Sequence, residues 1–253
     1  MTLEQVNNSN LYSSDPLDMF SLNTWVSSIN IKTVIKEDLD CIKSAKRCQE
    51  INSLKSNVIN ELNVKYFGWH KLFCNGSKDK CRVGAAYVDS LLGNKCKIKI
   101  PNNLTIMSAE LIAVNDALVY DGTTDFQKTV VLTDSKSALQ HIARCAFGLR
   151  GVSIAYHILN EIFKLQCKNC NLVLQWVPSH IGLQGNEEAD KLAKLAITQG
   201  RECNIDPDYT EILIKYKEKC YALWKEYFDK RSQEKGIWYK TIQSQPPKVP
   251  WFN

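Results

Sequence analysis

The chain has 253 residues, of which 44% are apolar, enough for one large domain or two small ones with a buried core. It carries 32 Lys and Arg residues against 27 Asp and Glu residues, and the net charge of +5 permits a polyanionic partner without requiring one. Its 11 Gly and 7 Pro residues exclude a collagen-like or low-complexity chain. Neither a membrane-spanning apolar run of about 18 residues nor a secretion signal is predicted.

Ten cysteines are present, and without a secretion signal we expect them to be reduced thiols of an intracellular protein, in the nucleus or the cytoplasm. Cys167 and Cys170 have the spacing of half a zinc knuckle. A structural zinc site would need a second pair of that kind, which the sequence does not offer. We therefore favour a solvated turn for this pair.

The chain is interpreted as three segments. Residues 1–66 form an N-terminal linker or weakly helical segment, with loose helical patterns over 17–29 and 35–62. Residues 67–200 form the main domain, and residues 201–253 a C-terminal helix with a Pro- and Trp-rich tail. The main domain holds 15 basic and 11 acidic side chains, so most of the positive excess lies there.

The main domain has the clearest pattern of strands and helices. Turn formers at 75–77 and 93–94 separate three early strands, which must be antiparallel because their connections are short. Two later apolar runs are predicted as parallel strands reached through helices. The predicted strands are 69–74, 82–89, 95–100, 129–133 and 172–177, and the predicted helices are 107–120, 135–147, 151–165, 186–198 and, in the C-terminal segment, 209–230. This pattern predicts a mixed five-stranded α/β sheet with helices on its faces.

Three acidic residues occupy unusual positions. Glu110 lies on the apolar stripe of a predicted helix, Asp134 directly follows the buried run at 129–133, and Asp190 lies near the start of the last helix of the domain. Each has a simple alternative, because the helix dipole favours acids in a first turn and Asp is a common N-cap. Three inward carboxylates together would repel one another unless a cation such as Mg²⁺ or Mn²⁺ lay among them. Paired metal ions held by carboxylates are a common device for phosphodiester hydrolysis.

Five motifs in order then carry a family resemblance. They are NGSK at 75–78, RVGAAYV at 82–88, SAELIAV at 108–114, LTDSKSALQHI at 132–142 and WVPSHIGLQGNEEADKLAKLA at 176–196. With these motifs, residues 67–200 resemble the type 1 ribonuclease H domain carried by non-LTR retrotransposons. The resemblance implies the RNase H-like fold and an endonuclease that cleaves the RNA strand of RNA–DNA hybrids with two Mg²⁺ or Mn²⁺ ions. Such enzymes distinguish RNA by contacts to its 2′-hydroxyl groups.

The resemblance also assigns roles to individual residues. Glu110, Asp134 and Asp190 match metal-binding carboxylates, and His180 matches a histidine that assists proton transfer or product release. The implied catalytic set is Glu110, Asp134, His180 and Asp190; the implied metal set is Asn75, Glu110, Asp134 and Asp190; the implied substrate contacts are Gly76, Ser77, Asn186 and Glu187.

One position departs from the family pattern. Where the family has the Asp of a TDGS motif, this chain has Asn75, a neutral residue whose amide oxygen can still contact a metal ion. One charge pair at about 4 Å is worth roughly 4 kcal/mol at an effective dielectric of 20. Since each 1.36 kcal/mol is tenfold in rate, a loss of about a hundredfold to a thousandfold is expected even after solvent compensation. Asp79, in a turn, and Asp89, interpreted as an exposed charge at a strand end, are not expected to replace it.

Three other interpretations remain open. The domain could be a catalytically inactive module that still binds hybrids, which Asn75 favours. It could be a fragment of a larger reverse transcriptase polyprotein. It could also be another polynucleotidyl transferase of the same superfold, such as an integrase, although Glu110 and the motif at 176–196 argue against that.

Overall fold

A computed structural model describes residues 26, 28–42, 50–80, 82–148, 151–234 and 237–245. The described chain divides into two compact units, the first ending at Asp206 and the second beginning at Pro207. The helices are α1 Ile31–Val34, α2 Ile51–Lys65, α3 Ile106–Asp121, α4 Lys136–Ala146, α5 Ser153–Cys167, α6 Gln184–Gln199, α7 Tyr209–Glu234 and α8 Ile237–Ile242. The strands are β1 Ile35–Lys36, β2 His70–Asp79, β3 Arg82–Asp89, β4 Lys95–Ile100, β5 Lys128–Thr133, β6 Asn171–Trp176 and β7 Arg201–Glu202. None of these helices is long and apolar enough to cross a membrane.

The strands form one mixed sheet in the order β1-β6-β5-β2-β3-β4-β7. Strands β2, β3 and β4 are antiparallel, and β5 and β6 are parallel to β2, as the sequence predicted. The predicted count of five strands is wrong, because seven are present. The two additional strands have two residues each and lie at the edges, where β1 pairs with β6 and β7 pairs with β4. Strands this short produce no period-2 pattern that a sequence could display.

Strand β2 is longer than predicted. Residues 75–77 were expected to form a turn, but β2 continues through them to Asp79, and Gly76 pairs with Ala85 of β3. A glycine is needed at position 76 because α3 passes close to the strand there, and a Cβ would lie 2.7 Å from the main-chain nitrogen of Glu110. The chain turns instead near Lys80, which has a φ of +52°. Turn-forming residue types therefore mark a close helix–strand contact in this case.

Helices cover both faces of the sheet. On one face, α3, α4 and α5 pack on apolar side chains that include Leu72 and Val131. On the other face, α2 and the start of α6 pack on Phe73, Val88 and Leu132. The arrangement is the mixed α/β fold with helices on both faces that the sequence predicted.

Among the described residues of the N-terminal segment, only part of the helix predicted over 35–62 is present. Residues 35–36 form the edge strand β1, residues 37–42 are not helical, and α2 begins at Ile51. The helix predicted over 17–29 falls mostly outside the described residues, as does the tail at 246–253. Leu54, Val58 and Leu62 recur every fourth residue on the buried side of α2. Because these positions align on one helix face, α2 packs against the sheet.

A buried polar cluster joins the opposite end of β2 to its neighbours. The His70 ring nitrogens lie 2.9 Å from Asp121 Oδ1 and 2.9 Å from Asp89 Oδ2, and Tyr120 also donates to Asp89. Asp89 was expected to be exposed at a strand end, and this is wrong because its side chain is buried in this cluster. Burial alone would lower the pKa of His70, but the hydrogen bonds with Asp121 and Asp89 outweigh burial and raise it.

In the second unit, α7 is the helix predicted over 209–230, extended at its C-terminal end to Glu234. Lys240 of α8 forms an ion pair with Asp229 of α7 at 2.9 Å. Several large apolar side chains of this unit, including Trp224 and Trp238, are exposed.

We expect Leu54→Ala to lower the free energy of unfolding by about 2–5 kcal/mol, because Leu54 is 1% exposed and the substitution leaves a cavity. The matched control is Val64→Ala on the same helix. Val64 is 81% exposed, so its loss should change the free energy of unfolding by no more than about 0.5 kcal/mol. Urea denaturation of the full chain measures both. Equal effects would show that α2 does not pack on the sheet in solution.

His70→Asn should lower the free energy of unfolding, by about 3 kcal/mol where the histidine is charged, because it leaves two buried carboxylates without their partner. The folded-state pKa of His70 lies above its ordinary value of 6.5. Its contribution is therefore complete below about pH 6.5 and is lost as the pH rises through the folded-state pKa. The difference between the two proteins in urea denaturation should accordingly shrink on the alkaline side. A difference that grows with pH would contradict the ion pairing.

Candidate active site

Two of the predicted site residues are brought together by the central strands. β2 and β5 are parallel neighbours, and Cys74 pairs with Thr133. The next residue along each strand is Asn75 on β2 and Asp134 after β5, so the two side chains meet. Asn75 Nδ2 lies 3.4 Å from both carboxylate oxygens of Asp134. At this distance the amide makes two weak hydrogen bonds to the carboxylate.

Glu110 reaches the same place from α3. The helix begins after Thr105, whose hydroxyl accepts a hydrogen bond from the Ser108 main-chain nitrogen, and it passes close over Gly76. The Gly76 main-chain N–H donates to the Glu110 carboxylate. The other carboxylate oxygen, Oε2, is buried and has no hydrogen-bond partner among the described residues. A buried anionic oxygen without a partner costs several kcal/mol unless a cation compensates it.

Helix α6 contributes Asn186 and Asp190. Asn186 is buried and donates to Asp134 Oδ2 at 3.2 Å. Asp190 accepts a 2.6 Å hydrogen bond from Lys194, one turn further along the helix. Asn186 therefore orients Asp134 directly, while Asp190 is partly neutralised by its own helix.

The loop between β6 and α6 carries His180. This residue has a φ of +53°, and its side chain is 67% exposed. Its Nδ1 lies 4.0 Å from Glu187 Oε2, and Glu187 Oε1 accepts the Gly182 main-chain N–H at 3.2 Å. His180, Glu187 and Asp190 each offer a ligand atom within 4.8 Å of the others. A left-handed backbone at a non-Gly residue is strained, and such strain clusters at functional sites.

The simple alternatives for the three acids do not apply. Glu110 and Asp190 lie beyond the first turns of their helices, and Ser135 rather than Asp134 is the N-cap of α4. Glu110 is 8% exposed, as its place on the apolar stripe predicted.

The charge at the site is unfavourable for carboxylates alone. Burial raises the pKa of Glu110 well above its ordinary value, and the negative charges of Asp134 and Asp190 raise it further. Burial also raises the pKa of Asp134, against the hydrogen bond from Asn186. Together with the unpartnered Glu110 oxygen, these shifts fit a divalent cation bound by hard oxygen ligands.

The remaining predicted substrate contacts lie inside the strand. Ser77 is buried in β2, opposite Gly84, and Gly76 faces α3. The two acids nearest Asn75 in sequence do not restore its missing charge. Asp79 pairs with Arg82 at 3.0 Å on the surface, and Asp89 belongs to the His70 cluster.

Sequence reasoning missed two supporting residues. The Trp176 indole nitrogen donates to the Asp134 main-chain oxygen at 3.2 Å, and Lys194 holds Asp190. Trp176 opens the most specific motif, and Lys194 follows Asp190 by four residues, the spacing of helical ion pairs. Both signals were therefore present in the sequence.

Without metal ions, Glu110→Gln should raise the free energy of unfolding at pH 7, on the order of 1 kcal/mol, because it removes a buried charge next to Asp134. The folded-state pKa of Glu110 is raised, so its ionisation costs stability as the pH rises above the unfolded value of about 4.5. The gain should therefore vanish below about pH 4. Thermal unfolding in EDTA at several pH values measures it.

The exposed carboxylate Asp125 supplies the matched control, since Asp125→Asn should leave stability nearly unchanged. Added Mg²⁺ should stabilise the native protein more than the Glu110→Gln variant. If Glu110→Gln destabilises the metal-free protein at pH 7, the repulsion inferred at this site is absent.

Comparison with known proteins agrees with the fold. Residues 70–198 match the family model described as RNase H. Human Ribonuclease H1 is 29% identical over 113 residues, which cover 42% of this chain and 40% of that protein. The chain thus spans about two fifths of the length of this curated relative. The match runs from the first residue of β2 nearly to the end of α6, which are the elements that carry Asn75, Glu110, Asp134 and Asp190, and the chain belongs to the RNase H family.

Proposed function

We propose that this chain is an endonuclease that hydrolyses the RNA strand of RNA–DNA hybrids at the site formed by Asn75, Glu110, Asp134 and Asp190. The observation that carries the proposal is the unpartnered, buried Oε2 of Glu110 beside Asp134, in a chain of the RNase H family. Ionised carboxylates at such a site are costly for the folded protein unless a cation lies among them.

The proposed cofactors are two Mg²⁺ or Mn²⁺ ions. Members of the family generally use divalent metal ions, and carboxylate oxygens suit these two. When bound, such ions activate water and stabilise the charge that develops on phosphate. Glu110 would hold them with a buried carboxylate, Asp134 with a half-buried one, Asp190 with one that Lys194 already contacts, and Asn75 with its amide oxygen alone.

His180 is proposed to move a proton during cleavage or product release. Its ring is exposed at the rim, and the neighbouring Glu187 is placed to orient its Nδ1. An accessible imidazole can accept a proton on one ring nitrogen while a neighbour orients the other, which suits general acid and base catalysis.

Hybrid recognition is proposed to involve Gly76, Ser77, Asn186 and Glu187. Gly76 and Asn186 also orient the carboxylates of the site, because Gly76 donates a hydrogen bond to Glu110 and Asn186 donates one to Asp134. Phosphate contacts from Lys and Arg would supply much of the affinity for the hybrid, in keeping with the excess of positive charge in residues 67–200.

A second candidate function is a module that binds hybrids without cleaving them. Asn75 favours it, because its amide nitrogen, rather than a fourth carboxylate, faces Asp134. The Asn75 amide satisfies Asp134 in part and lowers the negative charge that would attract metal ions. We also propose that the chain originates from a non-LTR retroelement, which the five motifs between residues 75 and 196 support.

Cleavage of a labelled RNA–DNA hybrid in Mg²⁺ and in Mn²⁺ tests the proposal. The native chain should cleave the RNA strand, Asn75→Asp should be faster by about a hundredfold or more because it restores a metal-binding charge, and Asp134→Asn should fall to background. A labelled DNA duplex serves as the substrate control.

The three variants separate the candidates. If only Asn75→Asp cleaves, the native chain is a binding module on a sound scaffold. If neither the native chain nor Asn75→Asp cleaves, although both are folded, the site assignment is wrong.

A further inference from the structure

A lysine from outside the family match lies beside the loop that carries His180. Lys55 belongs to α2, whereas the family match begins at residue 70. A Cβ at Gly182 would lie 3.2 Å from Lys55 Nζ and 3.5 Å from its Cδ, so the lysine side chain runs over this glycine. Gly182 has a φ of +80° and leaves room for that approach. The N-terminal segment therefore places an ammonium group at the rim of the candidate active site.

The position of Lys55 is set by the packing of its helix. Leu54, the preceding residue, and Val58 are fully buried against the sheet. Just after α2, the Tyr66 hydroxyl donates to Gln175 Oε1 at 2.8 Å, and Gln175 Nε2 donates to the Asp38 main-chain oxygen at 3.0 Å. Gln175 precedes Trp176, whose indole supports Asp134. The same contacts thus fix α2 and the strand end beside the site.

Lys55 differs in its partners from several other lysines of the chain. Lys194 pairs with Asp190 at 2.6 Å, Lys136 with Asp38 at 2.7 Å and Lys65 with Glu61 at 2.6 Å. Within the part of the chain that the structure describes, Lys55 has no carboxylate within 4.0 Å. Its charge is therefore free to meet an anion from outside the protein.

The loop beneath Lys55 links it to the candidate catalytic residues. The Gly182 main-chain N–H donates to Glu187, and Glu187 lies beside His180 and Asp190. A hybrid whose scissile phosphate reached these residues would carry neighbouring phosphates along the rim. An ammonium placed there by a packed helix would neutralise one of these phosphates and so contribute affinity.

We propose that Lys55 binds a backbone phosphate of the RNA–DNA hybrid beside the His180–Gly182 loop, so that the N-terminal segment is part of the substrate-binding surface. This inference rests on the proposed function. It assigns Lys55 a role in affinity, separate from the carboxylates that act on the scissile bond.

The test uses Lys55→Met, which keeps the stem over Gly182 and removes only the charge. Hybrid binding is measured by fluorescence anisotropy at several salt concentrations, in a shared Asp134→Asn background that prevents cleavage. Lys55→Met should weaken binding about threefold to tenfold, and should reduce the slope of log K against log salt by roughly one contact, about 0.7–0.9. Lys55→Arg should restore most of the affinity.

Lys128→Met is the matched control. Lys128 is exposed at the first residue of β5, whereas Asp134 follows the last, so its loss should leave affinity and salt slope unchanged. If Lys55→Met binds as tightly as its parent with the same salt slope, this inference is overturned and the proposed function stands. If Lys55→Met in the otherwise native chain cleaves more slowly, although Lys55→Met leaves affinity unchanged in the Asp134→Asn background, the inference is likewise overturned, since Lys55 would then only hold the loop. If the parent itself does not bind the hybrid, the proposed function fails and this inference with it.

Discussion

The parallel pairing of β2 with β5 is the constraint on which the candidate site depends. It sets Cys74 opposite Thr133, so the next residues, Asn75 and Asp134, are neighbours in the interior of the sheet. Gly76 then lets α3 approach closely enough for Glu110 to join them. Because helices cover both faces, Glu110 is buried and Asp134 half-buried, and the repulsion between them would favour a bound cation.

Hydrogen bonds and ion pairs within the protein compensate the repulsion between the carboxylates only in part. Asn186 and Asn75 both direct amide nitrogens at Asp134, and Lys194 neutralises Asp190. Glu110 receives a main-chain N–H on one oxygen and nothing that the structure describes on the other. The site is thus less negative than four carboxylates would make it, yet it still holds buried charge. A neutral residue at position 75 accordingly favours stability without metal ions over metal affinity.

The N-terminal segment extends this architecture beyond the family match. It adds the edge strand β1 to β6 and covers the second face of the sheet with α2. Gln175, inside β6, is satisfied by Tyr66 and by main-chain oxygens of this segment, a fully buried arrangement that needs both sides. Buried amides require such partners, so the segment and the sheet stabilise each other.

The sequence by itself determined the fold class, the order of the main strands and helices, and the inward orientation of Glu110, because these follow from local periodicity and turn chemistry. It did not determine the edge strands β1 and β7, the passage of β2 through residues 75–77, or the burial of Asp89 with His70. Those features depend on partners distant in sequence: Gln175 and β6 for β1, α3 for Gly76, and Tyr120 and Asp121 for Asp89 and His70. Only the tertiary structure decided which polar groups meet, since a hydrogen bond between remote residues leaves no periodic signal in either segment.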